Sequence, residues 1–155
     1  CCGFHQEDFY SLSIPEKVYP NSIPVWLLPL KAFVEEYTDQ DFNFILFSYY
    51  RNGKDSIAFH SDDERFLGIS PSIASITLGA DRPFLLKNKS TKKVESFSLK
   101  SGDLFVMQKN CQKDYLHSIP KIPSALPRVS LTFRNVLNEA GSKNYYKYNC
   151  LSTLL

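Results

Sequence analysis

Two of the three histidines in the sequence are placed where they could bind a metal ion together with one carboxylate. His60 and Asp62 form a His-x-Asp pattern at the end of an expected strand, where residues two apart project from the same face. His117 follows later, after another short apolar segment. Two imidazoles and one carboxylate on one face of a metal leave three positions open, an arrangement that binds Fe(II) with a bidentate cosubstrate and oxygen. The His-x-Asp pattern alone also fits a solvated acidic turn beside a structural histidine.

An expected strand with two arginines follows His117. Polar and apolar residues alternate from 128 to 134, so one face of this strand carries Arg128, Ser130, Thr132 and Arg134. A guanidinium binds a carboxylate through two parallel hydrogen bonds, and a dicarboxylate such as 2-oxoglutarate offers a carboxylate at each end. Two surface arginines on an edge strand would explain this segment by itself. Their order after His-x-Asp and a second histidine favours a dicarboxylate site instead.

The elements that must position these residues are one helix and a series of short strands. Leu30, Phe33, Val34 and Tyr37 recur at helical spacing within residues 26–40, which predicts one amphipathic helix. Short apolar and β-branched runs between turn signals predict seven strands, near residues 42–50, 56–61, 73–78, 83–87, 94–99, 103–108 and 129–135. Short strands after a helix favour a mainly β fold, a sandwich or jelly roll, over alternating strands and helices.

The composition is that of an ordinary soluble globular protein. Of the 155 residues 43% are hydrophobic and 22% are charged, which predicts a single domain over residues 1–155. A net charge of +2 permits an anionic partner without requiring one. No apolar run reaches the ~18 residues of a membrane span, and the four cysteines lack zinc-site spacing. We therefore expect an intracellular monomer with free thiols and no membrane segment.

Taken in order, the motifs of this chain resemble those of the AlkB family. The resemblance covers residues 24–136 and rests on the segments 42–46 with Tyr50, Asn52-Gly53, 60–64, 73–79, 101–104, 117–120 and 128–134. It implies a double-stranded β-helix that uses Fe(II), O2 and 2-oxoglutarate to remove alkyl groups from bases of methylated DNA or RNA. The products would be succinate, CO2 and an aldehyde. Residues 1–25 correspond to the family's substrate lid and 26–136 to the helix and catalytic core, and we expect 137–155 to form a tail.

The resemblance also implies roles for individual residues. The iron ligands would be His60, Asp62 and His117. The cosubstrate residues that we expect are Tyr50, Ser48, Arg128, Ser130, Thr132 and Arg134. Among them Arg134 would bind the far carboxylate of 2-oxoglutarate beside Tyr50, and Arg128 would lie toward the metal-proximal end. Ser48 departs from the family, which usually carries Asn two residues before the Tyr, so one cosubstrate hydrogen bond is shortened or lost.

The register between the first two core strands follows from the same resemblance, which requires Tyr50 and His60 on one face. The Asn52-Gly53 pair predicts a hairpin between the strands that hold them, but a two-residue loop would separate the two side chains onto opposite faces. We therefore expect a loop of three or five residues that aligns Leu46 with His60. Gly53 would then occupy a left-handed or bulged position.

Contacts to a nucleic-acid substrate are predicted at three places. Asp63 and Glu64 would face the methylated base, although solvated acids in a turn would explain them equally well. Phe9 and Tyr10 lie roughly where the family carries its base-stacking aromatic residues. The lysine-rich turn would lie along phosphates through Lys87 and Lys89, with Lys92 and Lys93 nearby, or be merely solvated.

Two other functions fit the same fold. One is an AlkB-like hydroxylase or demethylase that acts on a protein, a lipid or a small molecule. The other is a jelly-roll binding module without catalytic activity, which would have no reason to keep three metal ligands and two arginines together.

Overall fold

The computed structural model describes residues 2–5, 22–64 and 67–137. A 3-10 turn, Val25–Leu27, leads into helix α1, Leu28–Thr38, and a short helix α2 covers Cys111–Asp114. The strands are β1 (Cys2–His5), β2 (Phe44–Tyr50), β3 (Ile57–His60), β4 (Ile73–Gly79), β5 (Arg82–Asn88), β6 (Val94–Leu99), β7 (Leu104–Met107), β8 (Tyr115–Ile119) and β9 (Arg128–Arg134).

The strands form two sheets, which confirms the mainly β jelly-roll prediction. The five-stranded sheet has the order β1-β2-β9-β4-β7 and the four-stranded sheet the order β3-β8-β5-β6. Neighbouring strands are antiparallel, except that β1 runs parallel to β2. Strand β8, which carries His117, was not predicted. Its five residues mix polar and apolar side chains without the period of two that marks a half-buried strand.

Helix α1 packs on the outer face of the five-stranded sheet. Val34 is its fully buried residue, and it joins an apolar cluster with Leu27 and residues of β2, β4 and β9. The prediction that Phe33 and Tyr37 also face the core was wrong, because they are 56% and 72% exposed and stack on each other at 6.2 Å. A helix on a sheet buries only a narrow stripe, and these two rings lie to one side of it.

The second apolar cluster fills the space between the two sheets. It contains Phe44, Tyr50, Leu67, Ile73, Phe84, Leu99, Met107, Ile119 and Val136. Polar residues of the inner faces lie among these side chains, so the interior between the sheets is where a site can form. No helix in the described part of the chain is long and apolar enough to span a membrane.

The predicted hairpin between β2 and β3 does not form. Strand β2 pairs with β9 and β1, and β3 pairs with β8, so Leu46 lies opposite Thr132 and His60 opposite His117. The two strands belong to different sheets, and Tyr50 and His60 therefore belong to facing inner surfaces. A local turn signal cannot distinguish a hairpin from a corner between sheets.

The role predicted for Gly53 was also wrong. Gly53 does not have a positive φ, and it lies in a turn in which the Asp55 amide donates to the Asn52 carbonyl at 3.3 Å. A Cβ at position 53 would overlap the carbonyl oxygen of Ile122, whose amide donates to the Gly53 carbonyl at 2.9 Å. Glycine is required here for close approach of two backbones.

Candidate metal and cosubstrate site

The structure brings His60, Asp62 and His117 together at one end of the interior. Their ligand atoms all lie within 4.8 Å of one another. Asp62 Oδ1 is 3.5 Å from His60 Nε2 and 3.9 Å from His117 Nε2. The two histidines are direct partners in the β3–β8 ladder, and Asp62 follows β3 by two residues. Two imidazole nitrogens and one carboxylate oxygen this close together match the donor set that leaves positions open on a metal. We call this the metal end.

Hydrogen bonding and burial prepare the two histidines to act as ligands. His60 Nδ1 lies 2.8 Å from the Ala58 carbonyl, so an Nδ1–H donates there and leaves Nε2 facing Asp62. Burial lowers the pKa of His117 to about 4, which keeps this imidazole neutral at neutral pH. Burial also lowers the pKa of His60, but the Asp62 carboxylate outweighs this effect and the net shift is upward.

Asp62 is the buried anion of the group. Its Oδ2 accepts a hydrogen bond from Arg134 Nη2 at 2.7 Å, which leaves Oδ1 toward the histidines. Burial would raise the pKa of this carboxyl, but Arg134 and the two imidazoles lower it well below its usual range. The carboxylate is therefore ionised and oriented by the chain itself.

The backbone of Asp62 is held by a residue that sequence reasoning missed. Gln112 in α2 is buried, and its Oε1 accepts from the Asp62 amide at 2.9 Å while its Nε2 donates to Met107 Sδ at 3.3 Å. Ser61 Oγ donates to the Tyr115 carbonyl at 3.3 Å. These bonds tie the segment after β3 to the junction of α2 and β8. A lone glutamine in a short polar helix gives no sequence signal of such a contact.

Strand β9 lines the interior with the four predicted polar residues. Arg128 lies opposite Tyr50 and Arg134 opposite Phe44, so the two arginines occupy opposite ends of the same inner face. Arg134 is at the metal end, and Arg128 is at the other end, which we call the deep end. The order of the two arginines is the reverse of the one expected.

Arg128 is 1% exposed and keeps unused hydrogen-bond donors. Its Nη2 donates to Thr77 Oγ1 at 2.9 Å, and its guanidinium carbon is 5.4 Å from the Tyr50 ring centroid. Within the described residues, Nε and Nη1 of Arg128 have no hydrogen-bond partner. Thr77 was not predicted, although the alternation of β4 places it on the same face as Ser75. Buried donors without a partner are rare and mark a position that a ligand can complete.

Between the two ends the inner wall is lined by small hydroxyl residues. Ser48 lies opposite Ser130, and Ser75 opposite Thr132, in adjacent ladders. The hydroxyls of Ser75 and Ser130 are 2.9 Å apart. The predicted residues Ser48, Ser130 and Thr132 are thus neighbours on the wall that joins the two arginines.

A model of the 2OG-Fe(II) oxygenase superfamily matches residues 7–134 of this chain, most of its length. The chain belongs to this superfamily. Within it the chain is an AlkB-family member, as the motif order predicted. It is 40% identical over 127 residues to alpha-ketoglutarate-dependent dioxygenase alkB homolog 3 of Mus musculus, a match that covers 76% of this chain and 44% of the relative. DNA oxidative demethylase ALKBH2 of Arabidopsis thaliana is 36% identical over 120 residues, covering 62% and 38% respectively.

The chain spans less than half the length of these curated relatives. The solved structure of OsALKBH1 matches with a TM-score of 0.59 at 19% identity, covering 75% of this chain and 67% of that one. That likeness supports the AlkB jelly-roll fold.

The residues expected to face a substrate have unequal surroundings in this AlkB-family chain. Asp63 is exposed, and Glu64 is half-buried with a pKa raised by burial and by Asp62. Lys87 lies over the Phe59 ring at 5.4 Å, and Lys89 Nζ donates to the Gln112 carbonyl at 2.8 Å. Lys89 is therefore engaged within the protein.

The remaining substrate predictions are divided between the surface and the undescribed segments. Lys92 and Lys93 are exposed in the turn between β5 and β6, at the metal end. The predicted base-stacking residues Phe9 and Tyr10 lie outside the described residues.

Proposed function

We propose that this chain is the catalytic part of an Fe(II)- and 2-oxoglutarate-dependent dioxygenase that dealkylates N-alkylated bases in DNA or RNA. The observation that carries the proposal is the pairing of a three-ligand cluster with a buried, incompletely bonded arginine inside one jelly roll. The names of the relatives, which include a DNA oxidative demethylase, support the choice of nucleic acid. We also propose that the chain acts as a monomer and that its substrate is methylated DNA or RNA.

The donor set at the metal end fits Fe(II). His60, Asp62 and His117 would hold the ion through two nitrogens and one oxygen, and three positions would remain for cosubstrate and oxygen. With 2-oxoglutarate and O2 the bound iron supplies the oxidising chemistry. The chain contributes position: Arg134 and Gln112 orient Asp62, and Ala58 orients His60.

The deep end fits the far carboxylate of 2-oxoglutarate. Arg128 keeps Nε and Nη1 without a hydrogen-bond partner in the described residues, and either of them can form a two-bond fork to a carboxylate together with the second hydrogen of Nη2. Thr77 and the Tyr50 ring hold that fork in place. This assignment exchanges the roles expected of the two arginines: Arg128 takes the far carboxylate, and Arg134 acts beside the metal.

The substrate would approach from the metal end, where Asp63 and Glu64 follow the ligand Asp62. In this proposal their carboxyl groups face the exocyclic amino group or cationic ring of a methylated base taken out of its stack. The exposed lysines of the β5–β6 turn, Lys92 and Lys93, would lie along the phosphates.

The decisive experiment supplies the chain with Fe(II), 2-oxoglutarate and O2, together with methylated DNA and RNA oligonucleotides, single- and double-stranded. Mass spectrometry should show loss of the alkyl group in at least one oligonucleotide, with succinate formed in equal amount. Asp62→Ala should abolish both products, whereas the matched control Asp41→Ala, an exposed carboxylate ahead of β2, should retain them. If succinate forms but no oligonucleotide loses its alkyl group, the substrate is not one of these nucleic acids and belongs to another class of molecule.

A further inference from the structure

A second fully buried arginine lies at the deep end, and it has no role in the function proposed above. Arg82 begins β5, in the sheet that faces Arg128, and its side chain is 0% exposed. Its guanidinium carbon is 5.7 Å from the Tyr50 ring centroid, close to the 5.4 Å of Arg128. Each sheet therefore contributes one guanidinium to the same phenol ring.

The hydrogen bonds of Arg82 fix its position without neutralising its charge. Nη2 donates to the carbonyls of Asp55 at 2.9 Å and Pro120 at 2.5 Å, and Nη1 to that of Asn52 at 3.4 Å. All three acceptors are neutral backbone oxygens in the loops that close the deep end. The arginine is thus held rigidly by groups that leave its positive charge in place.

No carboxylate forms a salt bridge with either deep arginine, Arg82 or Arg128, in the part of the chain that the structure describes. Burial lowers the pKa of Arg82, and the nearby charges of Tyr50 and Asp55 offset this only in part. The nearby carboxylate of Asp55 is bound by Arg51, with Nε–Oδ2 and Nη2–Oδ1 distances of 2.9 Å. Buried charges are costly unless they are paired, so two guanidiniums in one interior require an anion.

We propose that Arg82 is a specificity-determining residue for the cosubstrate, whose charge makes the deep end select a 2-oxo acid with a second carboxylate. The inference rests on the proposed function and adds a second cation to its carboxylate site. Arg128 supplies the hydrogen-bond fork. Arg82, whose Nη atoms already bind loop carbonyls, acts through its charge. The consequence is that charge at position 82, more than hydrogen-bonding shape, determines the preference for a dicarboxylate.

The test compares two acids that differ only at the far end. Binding of 2-oxoglutarate and of 2-oxopentanoate, which has a methyl group in place of the far carboxylate, is measured calorimetrically on the Mn(II)-loaded chain. Arg82→Gln should weaken 2-oxoglutarate binding by about tenfold or more and leave 2-oxopentanoate binding unchanged. Arg82→Lys keeps the charge and should keep most of the preference.

Controls separate this role from a structural one. Lys54→Gln, an exposed lysine in the same loop, should keep the wild-type preference. If Arg82→Gln does not fold, Arg82→Met provides a second neutral variant. Equal weakening for both acids would make Arg82 only a clamp for the loops and would overturn the inference. A wild-type chain that binds neither acid would instead overturn the proposed function.

Discussion

Asp62, the proposed carboxylate ligand, is held in one orientation by its neighbours. One carboxylate oxygen is bound by Arg134, the other faces two imidazoles, and the amide is bound by Gln112. Each contact removes one way in which the carboxylate could turn away. Partners of this kind orient ligands and tune the affinity for the ion.

Replacing Gln112 should weaken metal binding, although Gln112 itself would not contact the metal. Gln112→Leu leaves the buried Asp62 amide without an acceptor, so we expect Mn(II) affinity to fall about 10–100-fold, the usual effect of losing such a partner. Gln112→Glu keeps an acceptor oxygen and should retain most of the affinity. The control is Glu35→Leu, which removes the acceptor of the Phe42 amide beside the helix. Calorimetric titration should show a fall in affinity for Gln112→Leu and not for Glu35→Leu; equal losses would make the effect one of general stability.

The two arginines of β9 should respond differently to the same substitution. Arg128→Lys replaces a fork by a point charge at the deep end, so the KM for 2-oxoglutarate should rise with metal affinity unchanged. Arg134→Lys should lower metal affinity as well, because Arg134 binds the ligand Asp62 directly. Steady-state kinetics on both variants measure the KM for 2-oxoglutarate, and metal titrations measure the metal affinity. A loss of metal affinity in Arg128→Lys alone would reverse our assignment of the ends.

At the scale of elements, β9 and the loops of the deep end determine where the arginines lie. Strand β9 is paired along its whole length with β2 on one side, and from Arg128 to Phe133 with β4 on the other. A strand held on both edges cannot shift register without moving both neighbours. The loop between β2 and β3 is held by the Arg51–Asp55 pair and by Arg82.

The Arg51–Asp55 pair should make a small, pH-dependent contribution to stability. Hydrogen bonding from Arg51 lowers the pKa of Asp55 from 3.8 to about 2. Since the folded pKa is the lower one, the contribution is complete above about pH 4 and is lost as the pH falls through about 2. Asp55→Asn should reduce the free energy of unfolding by less than about 1 kcal/mol at pH 7.

Urea unfolding at a series of pH values measures this difference. It should narrow between about pH 4 and pH 2. A difference that is constant across this range would assign the loss to loop geometry rather than to charge.

At the scale of the whole molecule, charge is nearly balanced and its placement matters more than its sum. The net formal charge is +2, and exposed lysines lie at the metal end in the β5–β6 turn. A nucleic acid that reaches the metal would pass this turn. Its binding would then release counterions and weaken with salt.

Lys92→Ala should reduce the salt dependence of oligonucleotide binding. One lost phosphate contact lowers the slope of log K against log[salt] by about 0.7–0.9. Lys54→Ala, an exposed lysine in the β2–β3 loop at the deep end, should leave the slope unchanged. Fluorescence anisotropy at several salt concentrations measures both. Equal slopes for Lys92→Ala and the wild type would show that Lys92 of the β5–β6 turn does not contact the phosphates.

The sequence by itself determined the family, the fold class and the residue types of the site. Alternation along 128–134 was enough to place both arginines on one face, and the order of His60, Asp62 and His117 was enough to predict a common metal. The two arginines do share one face, and the three candidate ligands do cluster, while the metal itself stays a prediction. The first was predictable because the period of two is a local property of a strand, and the second because the order of the motifs resembles that of a known family.

Only the tertiary structure decided which strands pair and which end of the interior each arginine occupies. The Asn52-Gly53 signal pointed to a hairpin, whereas packing turned it into a corner between sheets, with Gly53 against the Ile122 backbone. Gln112 and Arg82 became visible only there, because their partners are 50 and 27 to 38 residues away in the chain. Ladder partners and burial depend on how distant segments close on one another, and spacing along a single chain does not encode that closure.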